Sequence, residues 1–138
     1  MRAILAILPL GLGLAAMAHA QVTCPAQVNG AKAGLTKTGW KTEKPLGTGK
    51  LEHASLFNSD GKQEYELAPD TNRTVGADLV QQWKASDYHQ LDLFMRCDYG
   101  KAGQIRKLVP IQLKTCEQKL TDWDPKKGLA ASVQMACR

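Results

Sequence analysis

A chain of 138 residues, 43% hydrophobic and 22% charged with a formal charge of +5, suits one core and is short for two ordinary domains. The balance is only mildly basic, and no basic motif interleaved with aromatics is present, which argues against nucleic acid as a partner. Beyond the N-terminus no apolar stretch approaches the length of a membrane span, so no transmembrane anchor is expected.

Arg2, the apolar run from Ile4 to Ala16 and the small-residue box Ala18-His19-Ala20 read as an export signal cleaved near Ala20. Residues 21–138 are then expected as one β-rich domain, periplasmic or secreted, where Cys24, Cys97, Cys116 and Cys137 oxidise. Cys24 follows Gln21-Val22-Thr23 instead of the box itself, which argues against a lipid anchor.

Residues 21–50 read as an irregular arm punctuated by Pro25, Gly30, Gly39 and Pro45 and anchored by Trp40. Lys32, Lys37, Lys41, Lys44 and Lys50 against Glu43 give it a basic face, either a solvated loop or a surface for an acidic partner. After residue 50 short segments alternate with turn chemistry, the mark of an antiparallel fold. Residues 51–57 are expected as a strand, Asn58-Ser59-Asp60-Gly61 as its turn, residues 62–67 as the return and residues 71–76 as a loop.

Residues 79–85, with Trp83, fit a strand or one short amphipathic helix near 77–85; the strand is favoured. Leu91, Leu93, Met95, Cys97 and Tyr99 then alternate with Asp92, Phe94, Arg96 and Asp98, predicting a strand with one buried face. Gly100-Lys101-Ala102-Gly103 turns the chain, and residues 105–113 return it at a sheet edge, since Pro110 has no amide donor.

The last hairpin is set by Asp124-Pro125-Lys126-Lys127-Gly128. If Cys116 faces Cys137, the reversal falls between Lys126 and Lys127, Leu120 faces Val133, and Leu129, Ala131, Val133 and Met135 share the Cys137 face. Of three connectivities, this register favours Cys116–Cys137 and, by elimination, Cys24–Cys97. The fold class is therefore mostly β, a small antiparallel sandwich or partly open barrel of about six or seven strands stapled by two disulfides.

Catalytic chemistry finds little support. The mature segment holds only His53 and His89, and its cysteines lack Cys-x-x-Cys spacing, so neither metal nor other cofactor is expected. No Gly-x-Ser-x-Gly elbow exists. His89 beside Asp87 and Tyr88 is half a dyad at best, His53 in its strand reads as packed or half-buried, and Glu64 with Glu66 reads as an outward acidic stripe. No catalytic residue is assigned.

The order Cys24-Pro25, Gly39-Trp40, Ser55-Leu56-Phe57, Leu67-x-Pro69-Asp70, Trp83, Cys97-x-Tyr99, Cys116 and Cys137 is more specific than any one landmark. It resembles a family of small, uncharacterised exported proteobacterial proteins with two disulfides, some encoded near type VI secretion loci. The resemblance covers nearly the whole mature chain and implies protection against a periplasm-targeted toxin. Relatives place a tighter Gly/Pro turn where this chain has Asn58 to Gly61, so partner identity is not carried over, and no functional residue is either, since the shared landmarks read as folding determinants.

The expected function is that of a non-enzymatic periplasmic binding protein, an immunity or inhibitor protein against a cell-wall- or membrane-attacking toxin or hydrolase. Loops on a rigid scaffold carry such binding, here Asn58, Ser59, Asp60 and Gly61, then Asp87, Tyr88 and His89, with Lys126 and Lys127 as an electrostatic rim. The alternative is an envelope-associated protein that binds peptidoglycan or anionic lipid through the lysine-rich arm.

Overall fold

The computed structural model describes residues 21–30 and 33–138; the export signal and Lys32 lie outside the described residues. In chain order the elements are β1 (Val22–Thr23), β2 (Gln27–Asn29), α1 (Ala33–Lys37), β3 (Thr48–Lys50), β4 (His53–Ser59), β5 (Glu64–Glu66), β6 (Thr71–Val75), β7 (Asp78–Lys84), β8 (Asp92–Asp98), β9 (Gln104–Leu108), β10 (Thr115–Thr121) and β11 (Ser132–Cys137). Short 3-10 turns at Ala85–Tyr88 and Gly100–Ala102 complete them. A five-stranded sheet runs β1-β11-β10-β7-β6, a four-stranded sheet β5-β4-β8-β9, and β2 pairs with β3. All strand pairings are antiparallel.

The two larger sheets share one buried core. Leu56, Met95, Cys97 and Ile105 enter it from the four-stranded sheet, and Trp83, Cys116, Leu120 and Met135 from the five-stranded sheet. In β8 the alternation that the sequence showed holds from Leu93 through Tyr99, all odd positions being buried. Leu91 lies before the strand begins and is exposed.

The final hairpin has the predicted register, Cys116 opposite Cys137 and Leu120 opposite Val133. Its turn closes through Asp124, whose Oδ1 accepts from the Lys126 and Lys127 amides at 2.9 and 3.3 Å. Gly128 follows with φ 63°, a conformation that costs an L side chain strain. Leu129 and Ala131 precede β11 and are exposed, because the ladder holds them only through the isolated Asp124–Leu129 bridge and the Ala131 amide. Both disulfides pair as expected, Cys24–Cys97 and Cys116–Cys137.

Elsewhere the structure departs from expectation. Residues 71–76, expected as a loop, contain β6, which pairs with β7 and turns at Gly76 with φ 60°. Every β6 side chain is exposed, so no apolar alternation marks the strand. Within 77–85 the strand reading holds, as β7 from Asp78 to Lys84, and the helical turn is displaced to Ala85–Tyr88. The strand after Gly103 stops at Leu108, before Pro110, and is the sheet edge. The arm is less irregular than its glycines imply: β1 extends the five-stranded sheet, β2 and β3 pair, and Val28, Trp40 and Leu46 are buried.

Gln118 is a buried polar side chain with a structural reason. Before Phe57 the outer edge of β4 has no partner strand, since β5 pairs only with Phe57, Asn58 and Ser59. The Ala54 amide donates instead to Gln118 Oε1 at 3.2 Å, and Gln118 Nε2 donates to Gln81 Oε1 at 2.8 Å. A buried amide left without an acceptor costs about 1–3 kcal/mol.

Tyr99 fastens the arm, its hydroxyl donating to the Pro25 carbonyl at 2.6 Å. Burial pushes its phenol pKa well above the ordinary value, and at Tyr88 the hydrogen bond to Asp70, then burial, act in the same direction. The unfolded chain releases these protons near pH 10 while the native state retains them, so stability falls as pH rises above about 10. Denaturant titrations at pH 8 and pH 11 should show the loss, and Tyr99→Phe should reduce the pH-dependent part of it.

Candidate partner-binding surface

The Asn58-to-Gly61 segment and the loop after β7 come together at one end of the molecule, where Ser59 lies opposite Asp92 in the ladder. β4 runs two residues further than expected, so Asn58 is a buried strand residue and not a turn tip. Its Nδ2 donates to the Tyr88 carbonyl at 2.8 Å and the Asp92 carbonyl at 3.3 Å, tying the two loops. Asp60 Oδ1 accepts from the Lys62 and Gln63 amides, each at 2.8 Å, and Gly61 takes φ 88°. Those amides, Gln63 foremost, hold the Asp60 carboxyl below the usual range and keep the turn tip anionic.

Tyr88 donates its hydroxyl to Asp70 Oδ1 at 2.8 Å, while Asp70 Oδ2 accepts the Lys84 amide at 2.7 Å. Asp87 is exposed, and His89 is half-buried with Nε2 3.5 Å from the Leu113 carbonyl. Lys126 and Lys127 are exposed but sit beyond Thr121, at the opposite end of the β10–β7 pair from the Ala85–Tyr88 turn. Seven residues of strand, about 20 Å, separate the two ends. The structure thus groups the first two candidate segments and leaves the lysine pair apart.

A second surface escaped the sequence reading. On the outward face of the four-stranded sheet, Phe57 and Phe94 stack with centroids 5.3 Å apart. The Arg96 guanidinium lies 4.3 Å over Phe57 and that of Arg106 5.4 Å over Phe94. Glu64 of β5 bridges them, accepting from Arg96 Nη2 and Arg106 Nη1, each at 2.8 Å. The signal was Phe94, an aromatic on the face of β8 that alternation assigns to solvent, beside the unbroken Leu56-Phe57 pair of β4.

Beside this stack, residues 41–44 and β9 enclose an open cleft of about 680 Å³. Lys41, Lys44, Arg96 and Arg106 line it against Glu43 and Glu64, a balance of two positive charges.

Nothing resembling a nucleophile with its base is assembled at either surface. His53, expected to be packed or half-buried, is exposed at the start of β4 on the outward face, with Nε2 4.0 Å from Glu66 Oε1. Among the described residues no cluster of His, Cys, Asp or Glu is placed to hold a metal ion, and no helix is long and apolar enough to cross a membrane.

The family model described as type VI secretion system Tli immunity protein matches residues 43–138, from the cleft-forming segment through the last strand. The chain belongs to that family. It is a non-enzymatic immunity protein of type VI secretion, and its partner is a toxin. No curated protein and no solved structure matches it. The two disulfides and the family fit the oxidising periplasm.

The landmarks of the matched segment act in folding. Trp83 Nε1 donates to the Leu67 carbonyl at 3.0 Å, and Asp70 receives Tyr88 and the Lys84 amide where the chain crosses between the sheets. Ser55, Leu56 and Phe57 are all buried in β4.

Proposed function

We propose that this immunity protein, freed from its signal near Ala20, neutralises a cell-wall- or membrane-attacking toxin in the periplasm by physically covering the toxin's working surface. Family membership carries the reading. A scaffold with two disulfides and antiparallel sheets supports it, since a rigid surface loses little conformational entropy on binding. The Ser59, Asp60 and Gly61 turn with Asp87, Tyr88 and His89 forms one edge of the proposed contact, and Asn58 is the buried strut that sets their spacing. Lys126 and Lys127, at the far end, are left out of it.

Co-production tests the proposal. Cells that direct a candidate type VI toxin to their own periplasm should survive when the full chain is exported with it, and die when the chain lacks residues 1–20. Protection that is equally strong without export would contradict a periplasmic site of action. Failure to protect against any periplasm-directed toxin delivered by the same secretion apparatus would contradict the function.

A further inference from the structure

We infer that the outward face of the four-stranded sheet is the anchor of the toxin complex, with Arg96 and Arg106 receiving a carboxylate carried on an acidic, partly apolar segment of the toxin. The inference rests on the immunity reading and names the chemistry of its partner.

Three observations point to this face. First, the guanidiniums are preorganised: each is laid on a phenyl ring and held by the same Glu64 carboxylate. A guanidinium has five N–H donors in a fixed fork. Arg96 and Arg106 each commit one to Glu64, and no other acceptor among the described residues takes the rest. A ready-made pair of forks in a half-exposed setting matches a carboxylate in geometry and charge.

Second, the charge surrounding the pair favours an acidic occupant. Lys41, bridged to Arg106 through the backbone, and Lys44 line the same cleft, whose lining carries four cations against two carboxylates. Complementary charge of this kind steers encounter and fixes register.

Third, the stack continues into apolar surface. Leu108, 48% exposed, lies directly opposite Phe94 in the ladder, on the same outward face. Aromatic and arginine side chains flanked by apolar area are the composition of binding hot spots. Lys126 and Lys127 share the charge, and Leu129 beside them is exposed, but neither lysine is held on a ring or by a carboxylate as the two arginines are.

The test starts with a toxin that the wild-type chain neutralises, so that failure of the immunity reading shows itself before any variant is made. Binding of that purified toxin is then measured for Arg96→Glu with Arg106→Glu, and for Lys41→Glu with Lys44→Glu, whose side chains make no bond within the described fold. Arg73→Glu with Lys119→Glu, on the outward face of the five-stranded sheet, is the charge-matched control. The arginine pair should lose about a hundredfold or more in affinity and the lysine pair about tenfold, with the control within threefold of wild type. If the arginine variant shows no cooperative thermal transition, the lysine pair and the single change Arg106→Gln decide the matter. Affinity within threefold of wild type in the folded cleft variants would overturn the inference. So would an equal loss in the control, or arginine-dependent binding to anionic vesicles or sacculi with toxin binding unchanged.

Discussion

Reduction of both disulfides is expected to abolish the cooperative thermal transition of this protein near body temperature. The Cys24–Cys97 bridge spans 73 residues and the Cys116–Cys137 bridge 21. Chain-entropy arithmetic assigns them about 4 and about 3 kcal/mol. Their sum is comparable to the whole net stability of a small domain, about 5–15 kcal/mol.

The two bridges differ in what they hold. Cys116 and Cys137 are direct cross-strand neighbours already registered by the β10–β11 ladder. Cys24 follows β1, at the border of the five-stranded sheet, and reaches Cys97 in the other sheet. Serine at both Cys24 and Cys97 should therefore destabilise more than serine at both Cys116 and Cys137. Calorimetry with and without reductant checks this; a reduced protein that melts within about 5 °C of the oxidised one would contradict the ledger.

Trp83→Ala should be the most damaging single truncation in the core. Trp83 is 3% exposed, lies opposite Cys116 in the ladder, and donates its indole N–H to the Leu67 carbonyl. Removing an indole of this size costs about 3–5 kcal/mol, and the Leu67 carbonyl loses its donor in addition. Trp83→Phe keeps most of the bulk and should cost about 1–2 kcal/mol, chiefly through that hydrogen bond. Urea denaturation separates the two, and equal midpoints for the variants would mean that packing against the disulfide contributes nothing.

The legible parts of the fold are those whose side chains alternate between core and water. Val133, Met135 and Cys137, together with the Asp124-to-Gly128 turn, specify a hairpin because a one-residue slip would send every core residue to solvent. β8 was legible for the same reason. β6 was not, since Thr71, Asn72, Arg73, Thr74 and Val75 are all exposed and the strand is defined by backbone pairing alone. Asn58 was misplaced by its own chemistry: Asn-Ser-Asp-Gly is turn-forming, yet the ladder with β8 continues through Ser59 and turns Asn58 inward.

The arginine face depends on sheet register that no local pattern carries. Glu64 is 32 residues from Arg96 and 42 from Arg106, and meets both only because β5 and β9 flank β4 and β8 in one sheet. Phe57 and Phe94 are directly opposed in that register, which places an aromatic pair beneath two guanidiniums on the outward face, Phe57 covered and Phe94 half-buried. The segment spanning residues 41–44, read from the sequence as part of a lysine-rich arm, joins the cleft lining beside β9 through the Lys41–Arg106 bridge.

The most direct test of the account is crosslinking of tagged protein in a periplasm under type VI attack, followed by mass spectrometry of the captured species. The account predicts a single toxin at one-to-one stoichiometry, crosslinked through the outward face of the four-stranded sheet and the adjoining Ser59-to-Gly61 turn. Recovery of cell-wall fragments or lipid alone, with no stoichiometric toxin, would contradict it.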